Sequence, residues 1–77
     1  MNANRRKALE ELEEQTLSLK EQLEILMEEE QEYMDNMPEN LQSSERYSTA
    51  EEAVDNMQSA IDSLEEAASY ISESYNN

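Results

Sequence analysis

The sequence DNMPENLQSS, residues 35–44, divides the chain into two halves. Pro38 lacks a backbone N–H and disfavours helical backbone at Met37, so a helix that arrives from the N-terminal side is expected to stop here. Pro38 can then begin a single turn that runs to Leu41, and we expect Leu41 to cover this end of the fold. Ser44 is a suitable N-cap for a second helix. The segment therefore predicts two helices joined by a turn at residues 37–43.

The first half of the chain has a stripe of mainly apolar residues at alternating intervals of three and four. Its members are Leu9, Leu12, Thr16, Leu19, Leu23, Leu26, Glu30, Tyr33 and Met37. This spacing keeps one stripe on a single side of a helix, where it can face a partner helix. It predicts a helix from about residue 4 to about residue 36.

The second half repeats the spacing with smaller side chains. Its stripe consists of Tyr47, Ala50, Val54, Met57, Ile61, Leu64, Ala68, Ile71 and Tyr75. Ala53, Ala60 and Ala67 form a neighbouring row, and small residues at every seventh position allow two helices to approach closely. The predicted helix covers about residues 44–74, although a capping-box pattern at residues 48–51 would start it four residues later. Together the halves predict one all-α domain, residues 1–77, folded as an antiparallel two-helix hairpin.

Glu30 is a charged residue within the first stripe. A charge that is buried without a partner is costly, and Arg46 should lie near this end of the hairpin because it follows the turn. We therefore expect an ion pair between Glu30 and Arg46. The alternatives are that Glu30 fixes the register of the two helices or contacts a partner.

Apolar residues outside the first stripe indicate that the hairpin associates with a second copy. These residues are Leu17, Ile25, Met27 and Met34. A second apolar stripe on a helix is typical of a four-helix bundle, which two hairpins would form as a homodimer. The alternative is that these are ordinary exposed apolar residues, which are common on protein surfaces.

The charge of the chain is strongly negative. Twenty acidic residues face five basic ones, for a formal net charge of −15. This argues against direct binding to nucleic acid or to an anionic membrane, because both need a cationic protein surface. It favours a basic protein partner, or else an acidic surface that serves only to keep the protein dissolved.

Several kinds of chemistry lack their usual residues. The chain has no Cys and no His, which removes disulfides, thiolate metal sites and the commonest general base. The acidic residues at 28–35 do not match a calcium-binding loop, and there is no Gly for its sharp turn. We therefore expect a protein without enzymatic activity, metal or cofactor. There is no apolar run long enough to span a membrane and no secretory signal, which together predict a cytoplasmic protein.

One edge of the first helix is expected to carry the acidic surface. Glu14, Glu21, Glu28 and Asp35 are seven residues apart and lie opposite the apolar stripe, with Glu24 and Glu32 beside them. We call these six residues the acidic edge and predict that they bind the partner. Tyr70 is the best candidate for an exposed aromatic contact, since Tyr is frequent among the strongest contributors to protein interfaces.

The turn carries a resemblance to known sequences. The stretch NMPENLQ-SERY, residues 36–47, followed by an Ala- and Glu-rich helix, resembles small proteins of bacteriophages and mobile elements, chiefly of Firmicutes. The resemblance spans the chain and implies a phage-linked accessory protein in a bacterial host cell. In length and charge the chain is also similar, as a class, to anti-CRISPR proteins and other DNA mimics, whose carboxylates occupy a nuclease in place of phosphates.

Two functions are compatible with these features. The first is a non-enzymatic inhibitor that binds a basic, nucleic-acid-binding bacterial protein by DNA mimicry. The second is a structural oligomerisation or scaffold module that acts through its apolar stripes. An RNA-binding hairpin dimer would share the architecture, but the negative charge argues against it.

Overall fold

A computed structural model shows a helical hairpin and describes residues 1–76. Helix α1 spans Ala3–Asp35 and helix α2 spans Glu45–Tyr75. The two helices pack against each other in antiparallel orientation, and a short 3₁₀ turn, Glu39–Leu41, lies between them. The all-α hairpin predicted from the sequence is thereby confirmed.

Both helices begin at a capping side chain. Asn2 Oδ1 accepts a hydrogen bond from the Arg5 N–H at 2.7 Å, and Ser44 Oγ accepts one from the Tyr47 N–H at 3.3 Å. These bonds satisfy N–H groups that have no partner within the first turn of a helix. Ser44, rather than the capping-box residues 48–51, therefore sets the start of α2.

The turn follows the proline as expected but is closed by a different residue. The Leu41 N–H donates to the Pro38 carbonyl at 2.9 Å, which forms the 3₁₀ turn. The expectation that Leu41 covers the end of the hairpin is wrong, because Leu41 is exposed, whereas Met37 is buried. Met37 lies two residues beyond the end of α1 and stays aligned with its inner side, so its long side chain fills this end.

Helix α2 buries the stripe that its sequence predicts. All nine stripe positions are buried or half-buried, with Ala50, Ile61 and Ala68 the most enclosed. The neighbouring row of Ala53, Ala60 and Ala67 is half-buried. The inner side of α2 is therefore narrow and lined by small residues, which lets the two backbones approach.

Helix α1 is rotated relative to the prediction. Leu12, Leu19, Leu26 and Tyr33, expected inside, are 44–53% exposed. Their places on the inner side are taken by the residues that follow them, Glu13, Lys20, Met27 and Met34, which are half-buried or buried. Successive residues differ by about 100° around a helix. The inner side keeps the row of Leu9 and exchanges the row of Leu12 for that of Glu13, so its midline turns by about half of that angle, about 50°.

The rotation has a physical reason in the contacts of the inner row. A single partner helix covers about two neighbouring rows, whereas the main apolar residues of α1 occupy three adjacent rows. Lys20 Nζ lies 3.7 Å from Glu65 Oε1, and the Tyr75 hydroxyl donates a hydrogen bond to Glu13 Oε1. Glu13 and Lys20, the polar residues of the inner row, thus have hydrogen-bond or ion-pair partners on α2. The flexible Met27 and Met34 side chains fill the space towards the turn.

The hairpin is a thin rod. The Cα atoms extend over 60 × 14 × 13 Å, with a radius of gyration of 17.5 Å. A globular chain of this length would have a radius of gyration of about 11 Å. Within residues 1–76, neither helix is long and apolar enough to cross a membrane. Most side chains of such a rod lie on its surface.

Candidate functional site

The acidic edge lies along the outer side of α1. Glu14, Glu21, Glu28, Glu32 and Asp35 are exposed, whereas Glu24 is half-buried and lies 3.6 Å from Lys20 Nζ. From residue 14 to residue 35, the helical rise gives the edge a length of about 32 Å. The structure thus aligns these carboxylates on one rigid element.

Most of the acidic edge is unpaired. Asp35 accepts a hydrogen bond from Gln31 Nε2 at 3.1 Å. Within the described residues, the side chains of Glu14, Glu21, Glu28 and Glu32 make no hydrogen bond or ion pair. Their charge is therefore compensated by solvent ions alone and is available to a cationic partner.

The charge density of α1 is close to that of a nucleic-acid strand. Between Glu10 and Asp35 the helix carries 11 acidic residues against one basic residue, Lys20. These 25 residue steps correspond to about 38 Å of helix, or one carboxylate per roughly 3.8 Å. One strand of duplex DNA carries a phosphate about every 3.4 Å. These carboxylates lie on all sides of α1, whereas the acidic edge alone carries six over about 32 Å, or one per roughly 6 Å.

Tyr70 is exposed, as expected, but it does not lie on the acidic edge. It belongs to α2 and is 63% exposed. Because it follows Ala67 by three residues, it lies beside the row of Ala53, Ala60 and Ala67. The structure therefore separates the predicted aromatic contact from the predicted acidic contacts.

A second surface combines apolar residues from both helices. Tyr33 of α1 and Ala53 of α2 line the same open cleft near the turn, which has a volume of about 580 Å³. Its other lining residues are Glu30, Glu45, Arg46, Thr49 and Ala50. Helical periodicity continues these two rows along the rod. We call the resulting surface the open face: Leu12, Leu19, Leu26 and Tyr33 with Ala53, Ala60 and Ala67.

The open face lies on the side of the hairpin away from the polar contacts between the helices. The Lys20–Glu65 ion pair and the Tyr75–Glu13 hydrogen bond connect the other flank of the inner stripe. Sequence reasoning missed the open face, because the intervals of three and four placed its leucines inside. The neighbouring Met27 and Met34 were the signal for a second solution, since they allow the helix to turn without losing apolar contacts.

The residues expected to mediate self-association lie in different environments. Leu17 and Ile25 are exposed, whereas Met27 is half-buried and Met34 is only 4% exposed, both on the inner side of α1. Met27 and Met34 are therefore inner-stripe residues of the hairpin, not an outer stripe, because the helix is rotated. Self-association itself stays a prediction.

The expected Glu30–Arg46 ion pair is absent. Both residues line the cleft, but within residues 1–76 no ion pair joins them. Glu30 is half-buried, whereas Arg46 is exposed. The guanidinium remains in water, where an exposed ion pair would contribute little.

Tyr75 is a titratable group whose surroundings change its pKa. The hydrogen bond to Glu13 raises the pKa of the Tyr75 hydroxyl above its ordinary value, with smaller effects from burial and from the Glu13 charge. Among residues 1–76, no group of three or more acidic side chains is arranged to hold a metal ion. The features of this rod that stand out are two extended surfaces, one acidic and one apolar.

No family model, curated protein or solved structure shows significant similarity to this chain. The interpretation of the two surfaces therefore depends on their geometry and charge.

Proposed function

We propose that the protein is a non-enzymatic inhibitor that binds a basic, nucleic-acid-binding bacterial protein through the acidic edge. The observation that carries this proposal is the row of carboxylates along about 32 Å of α1, five of them exposed and four without a hydrogen bond or ion pair. Its length corresponds to about nine base steps of DNA at 3.4 Å per step. The partner's cationic groove would hold α1 where it otherwise holds a phosphate backbone.

Binding of this kind is driven by electrostatic attraction and by the release of bound ions. When Lys and Arg side chains of the partner's groove neutralise the carboxylates of the acidic edge, the small ions that had surrounded those charges are released. A net charge of −15 on a small rod also accelerates encounters with a cationic protein. The inhibitor would compete with nucleic acid for the same groove, and both effects would weaken as salt is added.

The resemblance of the turn sequence to phage and mobile-element proteins suggests where such an inhibitor would act. Phage-linked proteins operate inside the bacterial host cell, where nucleases and other nucleic-acid-binding proteins are potential targets. A counter-defence role of the anti-CRISPR type is the specific form that we propose.

Affinity capture from a bacterial lysate tests this proposal. Tagged protein is immobilised at low salt, and bound proteins are eluted by a salt gradient and identified. We expect the main partner to bind nucleic acid, to be displaced from the inhibitor by duplex DNA, and to lose at least about tenfold in affinity between 50 and 200 mM salt. A tight partner with salt-independent binding would contradict DNA mimicry.

Two neutralised variants separate the acidic edge from total charge. The first changes Glu14, Glu21 and Glu28 to Gln and Asp35 to Asn. The control removes four exposed acidic residues from α2 in the same way: Glu52, Asp55, Asp62 and Glu66. We expect the first variant to lose the partner and the control to keep most of its affinity. Equal losses would show that net charge alone attracts the partner.

The open face favours a second candidate function, a structural oligomerisation or scaffold module. In that case the apolar rows, rather than the carboxylates, would carry the function. Neutralising the acidic edge would then leave function intact, whereas Leu19→Ser and Leu26→Ser would remove it.

A further inference from the structure

We propose that the open face binds a second copy of this chain, so that two hairpins stack into a four-helix bundle. In this arrangement the leucine row of each copy lies over the alanine row of the other. The interface differs from the one that the sequence predicts, which included Met27 and Met34. It also goes beyond the proposed function, because it concerns the opposite side of the rod.

The shapes of the two rows are complementary. The large residues of α1 and the small residues of α2 both recur every seven positions. Tyr33 and Ala53 meet at the same cleft, so in an antiparallel pair Leu26 lies level with Ala60, and Leu19 with Ala67. A twofold axis parallel to the rod leaves each residue at the same height in both copies, so Leu26 of one copy lies level with Ala60 of the other. It therefore places each leucine of one copy over the small-residue row of the other, as in knobs-into-holes packing.

The charge distribution fits a second copy of the same chain. Neutral residues flank the open face: Gln15 and Gln22 on α1, and Thr49, Asn56 and Ser63 on α2. The charged residues lie towards the turn: Glu29 in the flanking row of α1, Arg46 seven residues before Ala53 in the alanine row, and Glu30 and Glu45 in the cleft. Along the rest of the face, two copies can make contact without opposing their carboxylates, although each carries a net charge of −15. Away from the turn, a basic partner would find no complementary charge on this face.

The size of the open face suits a stable dimer. The leucine row is about 32 Å long, and two helices at an interaxial distance of 8–10 Å give a width of about 18 Å, or roughly 580 Å² in projection. Specific interfaces bury about 800 Å² of accessible surface per partner, and a corrugated face exceeds its projection. This footprint lies at the upper end of the range of about 300–600 Å² for the largest apolar patch on a monomeric protein.

The first test is the mass of the full chain in solution. Sedimentation equilibrium from about 1 to 500 µM should show a monomer–dimer equilibrium. Because the two copies repel each other at long range, added salt should strengthen the dimer. Salt should weaken partner binding by the acidic edge, so the two proposals respond in opposite directions and can fail separately. A monomeric mass over the whole range would overturn this one.

Matched serine variants locate the interface. Leu19→Ser with Leu26→Ser changes the open face, and Leu17→Ser with Ile25→Ser changes exposed apolar residues outside it. We expect the first pair to raise the dissociation constant at least tenfold and the second to change it less than threefold. Circular dichroism at high concentration checks that both remain helical. Equal effects of the two pairs, or a larger effect of the second, would overturn the assignment.

Disulfide trapping tests the pairing of the rows without disrupting them. The natural chain has no Cys, so single variants carry one thiol each. An oxidised mixture of the Leu26→Cys and Ala60→Cys variants should give mainly the mixed disulfide dimer. Oxidation of a Leu19→Cys and Leu26→Cys mixture should give little, since the leucine rows of the two copies lie diagonally. The reverse result would mean that the leucine rows face each other and would overturn the proposed stacking.

Discussion

The two helices of this hairpin use the same spacing of apolar residues in different ways. Helix α2 turns its predicted stripe inward along its whole length, whereas α1 turns half of its stripe outward. The difference lies in the neighbouring rows. Beside the stripe of α2 lies a row of alanines, and beside the stripe of α1 lies a row with Met27 and Met34. A helix whose apolar surface spans three rows has more than one way to pack.

The two helices therefore contribute differently to the packing and to the surface of the hairpin. The small residues on the inner side of α2 allow another helix to pack against it at a short interaxial distance. The larger apolar residues of α1 exceed what one neighbouring helix can cover, so Leu19 and Leu26 remain outside. The same helix carries the unpaired carboxylates on a further side. Both proposals therefore assign most of the contact surface to helix α1.

The largest expected effect is on the free energy of unfolding, when a buried apolar residue of α2 is truncated and compared with an exposed one of α1. Ile61→Ala removes a side chain that is 4% exposed and should lower the free energy of unfolding by about 3 kcal/mol. Leu26→Ala removes a side chain that is 53% exposed and should cost less than about 1 kcal/mol when the chain is monomeric. Urea denaturation of both variants at low micromolar concentration measures the difference.

Concentration is the control for this comparison. At high concentration the open face would be covered by a second copy, so the Leu26→Ala cost should rise while the Ile61→Ala cost changes little. Comparable costs of the two variants in the dilute monomer would contradict the unequal burial of the two helices.

A smaller effect is expected from the Tyr75–Glu13 hydrogen bond, which connects the inner row of α1 to the end of α2. Because this bond raises the pKa of Tyr75 in the folded state, its contribution is present below the ordinary tyrosine pKa of about 10 and is lost as the pH rises through the folded value. The stability advantage of the natural chain over Tyr75→Phe should therefore shrink between pH 8 and pH 11, as thermal melts can measure.

Tyr70→Phe is the matched control, because Tyr70 is exposed. Removing its hydroxyl should change the free energy of unfolding by less than about 0.5 kcal/mol. A pH-independent stability difference for Tyr75→Phe would mean that the hydrogen bond to Glu13 does not form in solution.

The sequence was sufficient for the features that depend on local chemistry. Pro38 determined the position of the turn, Ser44 determined the start of α2, and the spacing of apolar residues determined the hairpin. Each of these depends on backbone sterics, capping or periodicity, which act over a few residues. The predicted helix ends agree with the observed ones to within one residue.

The rotation of α1 could not be obtained in this way. It depends on which of two rows, Leu26 with Tyr33 or Met27 with Met34, packs better against α2. That choice is a matter of side-chain shape and of partners such as Glu65 for Lys20, which lie far apart in sequence. The acidic edge was easier to predict, because exposed carboxylates remain on the outside for either rotation. The open face was missed as well, because its leucines are exposed only when α1 is rotated in this way.

The most direct test of the rotated packing is the reactivity of thiols at two adjacent positions of α1. Tyr33 is 44% exposed and Met34 is 4% exposed, and the natural chain has no Cys. In the dilute monomer, the Tyr33→Cys variant should react with a thiol reagent several times faster than the Met34→Cys variant, at matched helicity. Faster labelling of the Met34→Cys variant would place the row of Leu26 and Tyr33 inside the hairpin and would contradict both the rotation and the open face.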